Sequence, residues 1–172
     1  IFHVKDFLIN LFKLYLSSKK MVLRIHTIGG YNEVGKNMTA LEIDDDVILF
    51  DDGLFLPAIV GVAEREKNPT EKGMRNIGAL PDDLYLEKKG LKNKVRAIMP
   101  SHAHLDHIGA IPYNAHRYNA EIVGTPYTIE VLKVLMKDNG QSVKNKMIAV
   151  NPNNSYIVKG KRRYKAEFIN IT

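Results

Sequence analysis

KVRAIMPSHAHLDH, residues 94 to 107, joins an apolar run to a histidine cluster, and that junction decides the fold. KVRAIMP (94–100) reads as a strand whose end delivers the chain straight into the cluster. His102, His104 and His107 are three of the six histidines in the chain, and Asp106 lies among them. On an extended segment His102 and His104 project to the same side, because side chains alternate with period two. Asp106 and His107 fall at the turn into a following helix and face a second point. The layout is that of a two-metal site, His102 and His104 for one ion, Asp106 and His107 for the other. Neutral imidazole and carboxylate suit zinc, with manganese the alternative, and two adjacent ions can activate water between them. The helix N-terminus behind the cluster would offer a positive dipole to an anionic substrate. Isolated histidines are ordinarily surface or satisfied core residues, and His3, His26 and His116 are read that way.

Downstream, IGAIPYNAHRY (108–118) is expected to be helical, EIVG (121–124) a buried strand, and TPYTIEVLKVLMKDNG (125–140) the clearest helix. Thr125 caps it, Pro126 follows, and Asn139 with Gly140 ends it. Strands return at KMIAVN (146–151), SYIVK (155–159) and YKAEFINI (164–171). Upstream, VLRIHTI (22–28), MTALEID (38–44) and VILFD (47–51) read as a meander with a tight acidic turn at Asp44 to Asp46. GGYNEVGKN (29–37) is a glycine-rich loop, and PDDLYLEKKG (81–90) a short helix stopped by Gly90. Residues 53 to 80 carry scattered Pro and Gly without a sustained period, so they are expected to be an excursion outside the core. Strands first, then strands alternating with helices, point to a layered α/β domain.

The 172 residues suffice for one sizeable core. A formal charge of +6 permits attraction to a polyanion, with the surplus concentrated in KKGLKNKVR (88–96) and KGKRRYK (159–165). Taken singly, each run reads as a solvated turn. The absence of cysteine excludes disulfides and thiolate metal sites and suits a reducing, cytoplasmic setting. The opening IFHVKDFLINLFKLYLSSKK is too short and too charged to span a bilayer and lacks a signal-peptide cleavage site, so no membrane partner is expected. It reads either as a basic amphipathic helix or as upstream sequence foreign to the natural product, with Met21 the start. The strand beginning straight after Met21 favours the second reading.

HAHLDH is similar to the HxHxDH signature of the metallo-β-lactamase superfamily, whose fold is an αββα sandwich with a dinuclear metal centre. IGGYNEVGKNMTALEID, ILFDDGLF and PSHAHLDHIGAIPY resemble three separated segments of its ribonuclease J (beta-CASP) branch. The resemblance runs from about Met21 to Thr172. It implies that His102, His104, Asp106 and His107 bind two zinc ions, that Asp106 and His107 take part in catalysis, and that Asp51 orients the histidine loop from behind. It further implies that the loop of Gly29, Gly30, Asn32, Gly35, Lys36 and Asn37 lines the substrate entrance, its glycines letting backbone approach a phosphate; a plain β-turn is an equally good reading of that loop. Asp52 departs from many relatives, which carry an uncharged residue there, so no direct role is assigned to it.

The family completes its centre with a histidine, a bridging aspartate and a last histidine later in the chain than HxHxDH, and no histidine follows His116 here. Residues 21–172 are therefore expected to be the N-terminal half of the sandwich, without the RNA-clamping beta-CASP domain, in a truncated product with little turnover of its own. For the intact protein the implied function is metal-dependent hydrolysis of RNA phosphodiesters, as 5′-3′ exonuclease, endonuclease or both, with homo-oligomers compatible and the basic runs drawing in RNA. Two alternatives stand: a glyoxalase II-like hydrolase, which the NEVGKN and IGAIPY segments fit poorly, and a non-catalytic RNA-binding fragment.

Overall fold

The computed structural model describes residues 21–60 and 69–169. The proposed upstream extension, residues 1–20, and the end of the expected last strand lie outside the described residues.

Six strands form one sheet in sequence order: β1 (Leu23–Gly29), β2 (Met38–Ile43), β3 (Asp46–Phe50), β4 (Val95–Met99), β5 (Glu121–Gly124) and β6 (Met147–Ala149). The first three pair antiparallel; β3, β4, β5 and β6 pair parallel. A second sheet is the antiparallel hairpin of β7 (Ser155–Lys159) and β8 (Arg163–Glu167).

Alternation along the strands builds two cores. Met38, Ala40, Val47, Leu49, Ile98 and Ile122 face the helices, packing with Leu86, Ile111, Ile129 and Leu132. Leu41, Ile43, Ile48, Ala97, Met99 and Val123 face the hairpin, packing with Val158 and Tyr164. Helices on one face and a second sheet on the other make this the helix–sheet–sheet part of a sandwich. Central strands buried on both faces explain the nearly continuous apolar runs of the sequence. Full burial of a side chain such as Leu49 or Ile98 contributes about 1.5–3 kcal/mol. A bulge breaks the alternation in β4: the register skips Arg96, so Val95 and Ile98 reach the helix face while Arg96 turns to Asp46.

The stretch from Gly53 to Leu80 corrects the expectation of an excursion outside the core. Its described residues hold two short helices, α1 (Leu56–Ile59) and α2 (Glu71–Asn76), and bury Leu54, Met74, Ala79 and Leu80 against Ala110 and Tyr113. Its apolar residues are too sparse to show a period, because each helix is under two turns long. α3 (Leu84–Lys88) ends before Gly90, at φ 69°. The expected helix over 108–118 is broken into α4 (Leu105–Ile108), α5 (Ile111–Asn114) and a 3₁₀ turn at Ala115–Arg117. α6 (Pro126–Asp138) is the long helix, its Thr125 side chain accepting from the Thr128 amide and Ile129, Leu132 and Met136 buried.

Candidate metal centre

The histidine motif lies at the C-terminal ends of β3 and β4, where parallel sheets leave their strand ends open to ligands. β4 stops at Met99, residues 101–103 are bends, and Leu105 opens α4. No extended segment carries His102 and His104, yet the bend brings them together: His102 Nε2 lies 3.0 Å from His104 Nδ1. Asp106 and His107 share the first turn of α4, with Asp106 Oδ2 3.4 Å from His107 Nε2. The His102 and His107 rings pack at 3.9 Å between centroids, so the two expected pairs adjoin one another. With α4 a single turn, the expected helix dipole behind the motif is small.

Asp51 fixes His107. Its Oδ2 is 2.9 Å from His107 Nδ1, and its Oδ1 accepts from the Ser101 amide at 2.7 Å and the Ser101 hydroxyl at 2.8 Å. A proton held on Nδ1 by this carboxylate leaves Nε2, the nitrogen beside Asp106, with its lone pair. Asp51 adopts φ 59°, a left-handed conformation costing on the order of 1 kcal/mol for a non-glycine residue. Burial by itself lowers the affinity of His107 for a proton, but the Asp51 hydrogen bond and the charges of Asp51 and Asp106 outweigh it, and its pKa is raised. The pKa of His102 is lowered, first by burial and then by the neighbouring His107 and His104.

The backbone of residues 51–54 is laced to α4. The Asp52 amide donates to the His107 carbonyl at 2.8 Å, the Leu54 amide to Leu105 at 2.9 Å, and the Ala110 amide to Asp52 at 2.9 Å. A Cβ on Gly53 would stand 1.6 Å from the Asp106 carbonyl oxygen, so only glycine permits this approach. Behind it, Asp52 is fully buried; Asn114 Nδ2 donates to its Oδ1 at 2.9 Å, and Oδ2 has no hydrogen-bond partner among the described residues. Burial, reinforced by the Asp83 charge, pushes the Asp52 carboxyl well above the usual carboxylate range. Asn114 in turn accepts from Arg75, which pairs at 2.6 Å with the buried Asp83. The side chain of Asp52 thus points into this network and away from the histidine rings.

The glycine-rich loop turns largely on itself. Gly29 ends β1 against the Lys36 carbonyl, Gly35 abuts the Leu54 carbonyl, and Asn32 is exposed. Lys36 Nζ pairs with Glu33 at 3.0 Å and lies 5.2 Å from the Phe55 ring centre. Asn37 belongs to the histidine motif. Its Nδ2 lies 2.9 Å from the Asp106 carbonyl, 3.3 Å from Asp106 Oδ2 and 3.2 Å from His107 Nε2. Ser101, 3.1 Å from His102 Nδ1 and 3.2 Å from His107 Nδ1, escaped the sequence reading, although it directly precedes the first histidine. Of the residues read as bland, His26 sits between Glu42 and Tyr85, and His116 lies near Glu71.

The donor chemistry suits a divalent ion. His102 with His104, and Asp106 with His107, set nitrogen and oxygen lone pairs side by side, and the ion pairs of Asp51 and Asp106 among the described residues are with His107 alone. Each pair supplies two donors, and among the described residues no group of three His, Asp or Glu forms a metal-holding set.

A model of the metallo-beta-lactamase superfamily matches residues 31–163, which include both donor pairs and Asp51. The chain belongs to the metallo-β-lactamase superfamily. Within the superfamily its sequence is of the ribonuclease J-like branch. It is 40% identical to Ribonuclease J of Methanocaldococcus jannaschii over 154 residues, 88% of this chain and 34% of that protein. It is 39% identical to Ribonuclease J of Pyrococcus abyssi, covering 33% of it, and 34% identical over 122 residues to Ribonuclease J 2 of Streptococcus pyogenes, covering 20%. The chain therefore spans between 20% and 34% of the length of these relatives. The solved metallo-beta-lactamase fold protein YhfI from Bacillus subtilis aligns over 80% of this chain and 49% of that one, with 19% identity and a TM-score of 0.48. Membership of this superfamily implies divalent metal ions. Among the described residues no helix is long and apolar enough to cross a membrane.

Proposed function

We propose that this chain carries part of the active centre of a zinc-dependent ribonuclease. His102 and His104 would hold one ion, and Asp106 with His107 the other; manganese is the second candidate on donor chemistry. The observation that carries the reading is the Asp51–His107–Asp106 arrangement, in which a carboxylate 2.9 Å from Nδ1 orients the ring so that Nε2 turns toward a second carboxylate. The similarity to Ribonuclease J proteins supports RNA as the substrate.

Bound divalent ions would supply Lewis-acid activation of water and charge stabilisation at the phosphoryl group. The chain's own residues do the rest. Asp51 and Ser101 fix the His107 tautomer, Asn37 holds Asp106 beside His107, and the Gly29–Asn37 loop borders the motif where a strand would enter. Residues 21–172 act here as the N-terminal part of a lactamase-like domain, and residues 1–20 as an extension upstream of it. A cytoplasmic setting suits the cysteine-free composition. Cleavage from a 5′ end, internal cleavage and homo-oligomerisation are all compatible with this site.

Each basic run lies at a turn, as each reads when taken singly, between α3 and β4 and between β7 and β8. Lys94 and Lys161 pair with Asp45, Arg96 with Asp46 and Arg162 with Asp44, at the end of the sheet opposite the histidines. They do not line a route to the motif.

Zinc content and cleavage of a labelled single-stranded RNA, measured on the intact protein that carries this chain, test the proposal. Two ions per chain, cleavage, and loss of both in His107→Ala are expected. RNA retained without cleavage at full zinc loading would favour the binding module instead, and no affinity for either zinc or RNA would end the reading.

A further inference from the structure

We infer that Tyr31 is a stacking platform for an unpaired base of single-stranded RNA, held at the rim of the histidine motif; the inference rests on the ribonuclease reading. The residue is tethered at both ends. On its backbone side, Gly30 has φ 81°, and a Cβ there would meet Asn37 Oδ1 at 2.3 Å, so residue 30 lies directly on the side chain that reaches Asp106 and His107. On its phenol side, the Tyr31 and Thr39 hydroxyls hydrogen-bond at 2.6 Å. Thr39 pairs across the ladder with Phe50, and Phe50 immediately precedes Asp51. One anchor therefore lies against Asn37, and the other pairs with the residue that precedes Asp51; Asn37 and Asp51 both contact His107.

Between these anchors Tyr31 remains 50% exposed. An aromatic residue already fixed at both ends loses little conformational freedom when a ligand covers it, which is the condition for a productive contact. The local charge points to a base rather than to a phosphate as its partner. Lys36, the cation of this loop, is paired with Glu33 and lies near the Phe55 ring. Bases in a duplex are already stacked, so the ligand class is an unpaired strand, and stacking on a phenol ring is tolerant of base identity because every base has a π-face.

The test is fluorescence anisotropy with the full 172-residue chain in chelator, which prevents cleavage, using a single-stranded oligoribonucleotide and an abasic strand of equal length. Tyr31→Ala is expected to weaken binding of the first roughly 5- to 100-fold and to leave binding of the abasic strand unchanged. Tyr31→Phe, which keeps the ring and loses the Thr39 bond, is expected to stay close to wild type, and far-UV circular dichroism checks that both variants fold. Equal binding of the oligoribonucleotide by Tyr31→Ala and wild type would overturn the stacking role, as would a parallel loss on the abasic strand or a Tyr31→Phe variant as weak as Tyr31→Ala. A wild-type chain that binds neither strand would overturn this inference, whereas the ribonuclease reading stands or falls separately on the cleavage assay with the intact protein.

Discussion

The two ends of β3 make opposite uses of aspartate. At its start, buried Asp46 accepts from Arg96 at 2.7 Å, from the Tyr164 hydroxyl at 2.9 Å and from the Arg162 amide at 3.3 Å, while Asp44 and Asp45 beside it pair with Arg162, Lys94 and Lys161. At its finish, Asp51 meets Ser101 and His107, and no Lys or Arg is among its ion-pair partners within the described residues. One end answers every carboxylate with a cation of its own chain; the other gathers imidazoles and carboxylates and leaves the positive charge to be supplied. That contrast separates a structural cluster from a candidate site better than the density of charged residues does, since both ends are equally dense.

The contrast can be broken by exchanging its consequences. Asp46→Ala should be the most destabilising change, about 3–5 kcal/mol by thermal or urea unfolding, because it leaves Arg96 and the Tyr164 hydroxyl facing an emptied buried site. Burial opposes ionisation of Asp46, but the Arg96, Tyr164 and backbone hydrogen bonds prevail and hold its pKa below the usual value. Its contribution is therefore present above the ordinary carboxylate range and lost as pH falls through the depressed folded value; in Asp46→Ala that acid-side loss should shrink. Zinc bound per folded molecule should not change.

Asp51→Ala should do the reverse, lowering zinc affinity by about 10- to 100-fold in a competition titration with a chromophoric chelator. An unchanged affinity would remove the distinction between the two ends. Asp52→Asn should raise stability at neutral pH by about 1–3 kcal/mol, since it relieves the cost of ionising a carboxyl with an unpartnered buried oxygen while keeping an acceptor for Asn114. A destabilised variant would mean that the negative charge itself holds the Arg75–Asp83 network. Smallest of all, Asp45→Asn should leave the melting temperature where it was, because its Lys94 and Lys161 partners lie with it in water.

How much of this could be read beforehand depended on range. The strands and α6 follow their patterns because alternation, Thr125 capping and the Gly140 stop act over a few residues. The segment from Gly53 to Leu80 misled because its buried residues answer to Ala110 and Tyr113, far along the chain, and carry no local period. The long helix expected over 108–118 failed for the same reason: the Ala110 amide donates to the Asp52 carbonyl, far back in the chain, and the helix breaks there. Likewise the basic runs read as solvated turns in sequence, which says nothing of their partners; the fold brings Lys94 and Arg96 of one, and Lys161 and Arg162 of the other, to the turn at Asp44–Asp46.

What the sequence by itself determined is the layered α/β plan, the superfamily, and the close spacing of the proposed donors His102, His104, Asp106 and His107, because a strand running into closely spaced histidines is local chemistry. Only the tertiary structure decided that His107 is the histidine Asp51 holds, that Asn37 and Ser101 touch the motif, and that Asp52 faces away. Those relations join residues just beyond the ends of β1, β3 and β4 across as many as 70 positions, as between Asn37 and His107, and no periodicity carries information over such distances; sheet pairing brings the strand ends together.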